Sequence, residues 1–235
     1  MHLNNYQFLK KREVFIVISL ILISIAARIP VILILGDTSL ENEWGVLVKN
    51  LINHGTLALK NLDGFLLPNL WMPPLYAYYI YFFSFFNLEN QDFIKLILSS
   101  QILLASLSVA VFYKINKIFF SEKISLFGSL IFSFFPLHLF ACAQISSISL
   151  HIFLAILFYY YFFKISKKPN LTSALLFGFI AGLLILTRRE FIMILVLSTF
   201  FLLIFFKMPK KFFFFNSYIN YNYNISLFNK KFFNI

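Results

Sequence analysis

Two groups of side chains in this sequence have the types and spacing to do chemistry. The first is acidic. Glu41 and Glu43 lie two residues apart, the second directly before Trp44, in a polar stretch that also holds Asp37 and Asp63. Such a carboxylate can accept a proton from an attacking hydroxyl if it comes within hydrogen-bond reach and its surroundings tune its pKa. Its plainer uses are to cap a helix or to stay solvated. The second group is Arg188-Arg189-Glu190, a charged turn between two apolar blocks. A guanidinium presents a planar fork that suits phosphate oxygens and keeps its charge at any relevant pH. The plainer reading is an arginine pair snorkelling to lipid headgroups.

Other chemistry-bearing residues say less. His54 reads as a helix-end residue, and His138 and His151 fall in apolar blocks, where they are expected to hydrogen-bond between helices. The sequence has no HExxH metal motif, no phosphate loop and no GxSxG serine elbow, so soluble-enzyme chemistry is unsupported. The single cysteine, Cys142, excludes an intrachain disulfide and a two-cysteine metal site. No metal site and no cofactor is expected from these residues, and dependence on a divalent metal stays open.

The elements that must hold these groups are membrane helices. Sixty per cent of the residues are hydrophobic and 12 % are charged, against about 45–50 % and about 25 % in soluble domains. The apolar residues form blocks close to the roughly 20 residues that a helix needs to cross about 30 Å of hydrocarbon. Runs such as FIVISLILISIAA do not alternate, which argues against a β-barrel. The net charge of +11 is spread as short basic clusters between the blocks, and no nucleic-acid motif accompanies it. The expected class is all-α: a polytopic transmembrane helical bundle with a short amphipathic helix in the first loop.

The first span is expected over Val14–Leu35, uncleaved, after the cluster Lys10-Lys11-Arg12. In the polar stretch that follows, Ser39–His54 reads as a helix, with Thr38 and Glu41 at capping-box spacing and Gly55 as its stop. Glu43, Leu47, Asn50 and His54 would share one face. Trp71–Phe86 opens with Pro73-Pro74, a suitable helix start, but is short for a crossing. Further spans are expected over Phe93–Tyr113, Ile124–Ala143, Ile145–Phe163, Leu171–Thr187 and Phe191–Phe206. Gly178 and Gly182 have the spacing that lets helices pack closely.

Loop lysines set the topology. Lys114, Lys117 and Lys123 form one basic loop, Lys164, Lys167 and Lys168 a second, and Lys207, Lys210 and Lys211 a third. Basic loops prefer the cytoplasm, so the N-terminus is expected there, and the Gln144 turn, the acidic loop and the arginine turn outside. Parity then requires that 71–86 cross only partly. Apart from Arg28 the span interiors read as clean, which argues against a transporter.

Several segments in order carry a resemblance. The first span ends in Arg28-Ile-Pro30; the acidic loop reads GDTSLENEWGVLVKNLINHG; LWMPPLYAYYIYFF follows, and later GFIAGLLILTRREFIMI. Together they resemble the N-terminal half of the GT-C superfamily of membrane glycosyltransferases, in the branch of protein O-mannosyltransferases and lipid A aminoarabinose transferases. The matching residues are Glu41, Glu43 and Trp44; Asn50-Leu51 and Gly55; Pro73 to Tyr76; and Gly182 to Arg188. The resemblance implies a multi-pass protein of a bacterial inner membrane. It would transfer a sugar, with inversion, from a polyprenyl-phosphate donor to a lipid, protein or glycan hydroxyl at the outer face.

It further implies Glu43 as the base, with Glu41 second, and Arg188 as the ligand of the donor phosphate, with Arg189 as the alternative. Trp44, Asn50, His54, Pro73, Pro74 and Tyr76 would support the site. The usual adjacent acidic pair is split here by Asn42. Members are commonly about twice this length, so the expectation is a transferase-like region over 1–208, truncated, followed by a divergent basic and aromatic tail over 209–235. That tail fits either a frameshifted end or an authentic amphipathic segment. The rival reading of the whole chain is a non-catalytic membrane fragment or assembly subunit.

Overall fold

The computed structural model describes residues 2–62, 65–69 and 71–205. The element order is α1 (His2–Leu35), α2 (Glu43–His54), β1 (Ala58–Leu62), β2 (Phe65–Pro68), α3 (Leu75–Ser84), α4 (Asn90–Phe119), α5 (Glu122–Ser133), α6 (Pro136–Ala143), α7 (Ile148–Lys167), α8 (Leu171–Thr187) and α9 (Phe191–Phe205). Asp63 and the 209–235 tail lie outside the described residues. Among those described, three helices are long and apolar enough to cross a membrane, Lys11–Leu35, Asn90–Phe119 and Ile148–Lys167, or four if a bent pair counts as one. The protein is an all-α polytopic bundle, as its composition requires.

That bent pair occupies the expected span Ile124–Ala143, which is broken and not straight. It is two helices, α5 and α6, meeting at 48°. Pro136 explains the break: it has no N–H for the preceding turn and starts α6 instead. The freed carbonyl of Ser133 accepts a bond from Arg28 Nη1 at 3.3 Å. Arg28 is fully buried. It also donates to the Ser24 carbonyl at 2.9 Å, to the Ser24 hydroxyl, and to His138 Nδ1 at 3.0 Å. Arginine has no acceptor, so His138 receives that bond and carries its proton on Nε2. The interior of the first span is therefore not clean, and a buried cation joins α1 to the α5–α6 break.

Ion pairs identify one end of the bundle. Arg12 pairs with Glu122 at 2.5 Å and Lys117 with Glu13 at 3.1 Å, while Lys167 Nζ donates to the Ile118 carbonyl at 3.0 Å. The start of the apolar part of α1, the α4–α5 loop and the end of α7 thus meet at one cation-rich end. The α6–α7 turn and the end of α8 lie opposite. Helix α3 has ten residues, about 15 Å at about 1.5 Å per residue, too short to cross. It folds back antiparallel on the first third of α4, with Tyr76 donating to Gln101 at 2.9 Å and Tyr79 sharing a hydrogen bond with Ser100.

The largest apolar cluster lies between α2, α3, α4, α7, α8 and α9, around Leu47, Tyr76, Ile97, Phe158 and Leu184. Gly178 and Gly182 do not serve it. A Cβ at either would meet nothing within 4 Å, and both line an open apolar groove of about 460 Å³ on the outer face of α8. The expected close packing at this pair is absent among the described residues.

Candidate functional site

The first loop differs from its expected form at its start. The helix begins at Glu43, and its cap is Asn42, not Thr38. Asn42 Oδ1 accepts the backbone N–H groups of Trp44 at 3.1 Å and Gly45 at 3.2 Å. An asparagine supplies this bond as well as a threonine does. Gly45 permits the tight entry, since a Cβ there would lie 2.0 Å from the Leu40 carbonyl oxygen. The stop is as expected: Gly55 takes a left-handed φ of 69°. The buried face is Gly45, Leu47, Val48 and Leu51, so of the face proposed from spacing only Leu47 is buried.

After α2 comes an antiparallel hairpin that an all-helical reading does not contain, with Ala58 opposite Pro68 and Leu62 opposite Phe65. Its signal in the sequence is weak, because Ala58–Leu62 has neither β-branched residues nor clean alternation. Asn50 Nδ2 donates to the Ala58 carbonyl at 2.6 Å and ties α2 to the hairpin. Asn69 accepts the N–H groups of Trp71 and Met72, both at 3.0 Å, and shapes the turn into Pro73-Pro74 and α3.

These pieces converge on the α6–α7 turn. A helix end leaves carbonyls without partners, and here each of the four from 142 to 145 is taken. The Cys142 carbonyl accepts from Gln101 Nε2 at 3.4 Å and the Gln144 carbonyl from the same group at 3.0 Å. The Ala143 carbonyl accepts the Asp37 N–H at 2.9 Å. The Ile145 N–H donates to Asp37 Oδ2 at 2.6 Å, and its carbonyl accepts from Asn42 Nδ2 at 3.0 Å. Gln144 Nε2 returns a bond to the Leu35 carbonyl at 3.1 Å. The turn is a hub that fixes the first loop to α4, and through Gln101 to Tyr76. Tyr76 meets the Trp44 ring edge-on, at 4.9 Å and 80°.

The predicted residues divide accordingly. Trp44, Asn50, Pro73, Pro74 and Tyr76 form the scaffold around the first loop. Glu41, Glu43 and His54 are exposed. Asp37 was not singled out by sequence reasoning, yet it is the loop acid bonded to the hub. Its signal was available only as a polar residue following the end of the first span.

The arginine turn lies at the same end. His151, in the first turns of α7, bonds through Nδ1 to Thr187 Oγ1, the last residue of α8, at 2.9 Å. Next to it, His151, Arg188, Glu190, Phe191 and Ile194 line an open cavity of about 310 Å³. Arg188 and Arg189 are both exposed, and only Arg188 is among those lining residues. No ion pair among the described residues joins Glu41 or Glu43 to Arg188, and none holds three or more His, Cys, Asp or Glu side chains in a metal-binding group.

Residues 72–220 match the family model for dolichyl-phosphate-mannose-protein mannosyltransferase, which is more than half of the 235-residue chain. The chain belongs to this family. It is thus a GT-C-type membrane glycosyltransferase by descent, and the family implies a lipid-linked sugar donor and an acceptor. The matched region contains Pro73 to Tyr76 and Arg188; it runs on to residue 220, inside the tail, and it begins after the acidic loop. No curated protein and no solved structure matches the chain.

Proposed function

We propose that this chain transfers a sugar, mannose in the first instance, from a polyprenyl-phosphate carrier to a hydroxyl acceptor at the outer face of a bacterial inner membrane. One observation carries the reading: a cavity lined by Arg188 lies at the same end of the bundle as the hub-fixed acidic loop. Breaking the sugar–phosphate bond leaves a second negative charge on the lipid phosphate. A pre-placed cation stabilises that charge as it develops, often as the largest catalytic term. Arg188 takes this role, with Arg189 as its alternate.

An acid of the first loop takes the acceptor proton, Glu43 first and Glu41 second. Asp37 is a third candidate on a specific observation: its Oδ2 is tied to the Ile145 N–H, which holds the carboxylate in one place. Exposure of Glu41 and Glu43 suits an acid that meets its substrate in solution, whereas Asp37 suits a pre-organised one.

The test is transfer from a mannosyl polyprenyl phosphate by Glu43→Gln, Glu41→Gln, Asp37→Asn and Arg188→Ala. The reading expects Arg188→Ala and one acid variant to lose at least about 100-fold, the scale of a lost charge-stabilising or proton-accepting group. Unchanged transfer in all four would remove these assignments. No transfer by the unaltered chain, with retained partner binding, would favour the non-catalytic subunit. Orientation has its own test: Asn90→Cys in a Cys142→Ser background reacts with an impermeant thiol reagent from outside, and reaction only from the cytoplasm overturns it.

A further inference from the structure

His151 lines the Arg188 cavity, and its hydrogen bonds define which of its nitrogens is free. Thr187 has one hydroxyl proton. That proton goes to the Leu184 carbonyl, at 2.7 Å. The Thr187 oxygen therefore meets His151 Nδ1 as an acceptor, and the proton between them belongs to the ring. The neutral imidazole is fixed as the Nδ1–H tautomer, leaving the lone pair on Nε2. Phe191 stands edge-on to the ring at 6.0 Å and 79°. The charged groups that face it are Arg188, at the end of α8, and Glu190, in the turn before α9, one of each sign.

We infer that His151 is the proton partner of the leaving phosphate: its Nε2 takes up one proton together with the released lipid phosphate monoester, and takes up none with the diester donor. This rests on the assignment of Arg188 to the donor phosphate. The bond from the anomeric carbon to the phosphate oxygen breaks, and its electron pair stays on that oxygen. The acceptor hydroxyl oxygen bonds to the carbon and gives its proton to the first-loop acid, and the proton that His151 takes up comes from the solvent. The donor diester carries one negative charge, and the released monoester carries two above its second pKa of about 6. An imidazolium donating from both nitrogens, to Thr187 and to the phosphate, matches the dianion. A neutral imidazole offers the diester only a lone pair. His151 thereby separates product from donor, two ligands that share the same lipid and the same Arg188.

The experiment compares farnesyl phosphate with its methyl ester, bound to the full chain in detergent at several pH values. The methyl ester is a diester and cannot make the second ionisation. With one linked proton, farnesyl phosphate affinity falls about tenfold as pH rises from 7 to 8, because both free partners are then deprotonated. The methyl ester stays flat. His151→Asn keeps an amide N–H for Thr187 but lacks the second ring nitrogen. It abolishes the pH slope for the monoester, and the methyl ester stays flat with pH in the variant as in the parent.

Equal slopes for the two ligands on the unaltered chain would overturn the inference without any variant. So would a slope that persists in His151→Asn. Arg188→Ala separates this from the underlying reading. Weakened binding of both ligands with no slope difference in the unaltered chain sinks only the His151 role. Unchanged binding of both ligands in Arg188→Ala sinks the phosphate site itself.

Discussion

Replacing Gln101 by leucine tests whether the α6–α7 turn is the hub that holds the first loop. Gln101 is fully buried on α4. Its amide donates to the Cys142 and Gln144 carbonyls and accepts the Tyr76 hydroxyl. Leucine has nearly the same length, so the loss is of bonds more than of volume. An orphaned buried donor or acceptor costs about 1–3 kcal/mol. Half-buried Gln144 can reach water, so about 2–4 kcal/mol is expected for the set. At about 2–4 °C per kcal/mol for a chain of this size, that is a fall in Tm of roughly 5–15 °C.

The single cysteine makes the assay simple. Cys142 is buried, with its thiol donating to the His138 carbonyl at 3.2 Å. A thiol-reactive fluorophore in detergent therefore reports opening of this turn. Tyr76→Phe supplies the control, because it removes the hydroxyl that Gln101→Leu strands. The double variant should be less destabilised than the sum of the singles by about 1 kcal/mol. Strict additivity, within about 0.5 kcal/mol, or a Gln101→Leu variant as stable as the parent, would refute the hub.

Three further outcomes follow from the same contacts. Asn42→Ala removes both the α2 cap and the bond to Ile145, and is expected to cost about 1–2 kcal/mol and to raise proteolysis between 37 and 45. Arg28→Gln should raise the rate of Cys142 labelling by a membrane-permeant maleimide, since the α5–α6 break loses its tie to α1; Arg28→Lys should recover only part of the protection, because a point charge cannot replace the fork. Gly182→Leu, on the open face of α8, should leave Tm within about 2 °C of the parent, as an unpacked surface site does; a large fall would mean that this face is covered in the membrane by another helix.

The large features of the fold were legible because they depend on composition and period. Long apolar blocks between lysine clusters can only be membrane helices, and Gly55 ends α2 where a left-handed residue is needed. What the sequence hid depends on contacts between distant segments. The first-loop cap fell on Asn42 because that side chain satisfies α2 with its oxygen and Ile145 with its nitrogen, and only the fold brings Ile145 there. Ile124–Ala143 looked continuous in hydropathy, although Pro136 marked the break. Arg28 looked like the polar end of a span, yet it is buried by partners more than 100 residues away.

The site shows the same division. Arg188 drew attention by running against the charge bias of its loop. Asp37 did not, and His151 read only as an interhelical hydrogen-bonding residue, because the bond of the one to the Ile145 N–H and of the other to Thr187 join distant segments that no local motif records.

Binding of a mannosyl polyprenyl phosphate to the purified full chain, compared with Arg188→Ala at neutral pH, tests the central claim most directly. It needs neither the acceptor nor turnover. The account predicts saturable binding by the parent chain and a loss of at least about tenfold in the variant, the scale of one charge-assisted phosphate contact of about 1.5–3 kcal/mol. Equal affinity in the two proteins would contradict it.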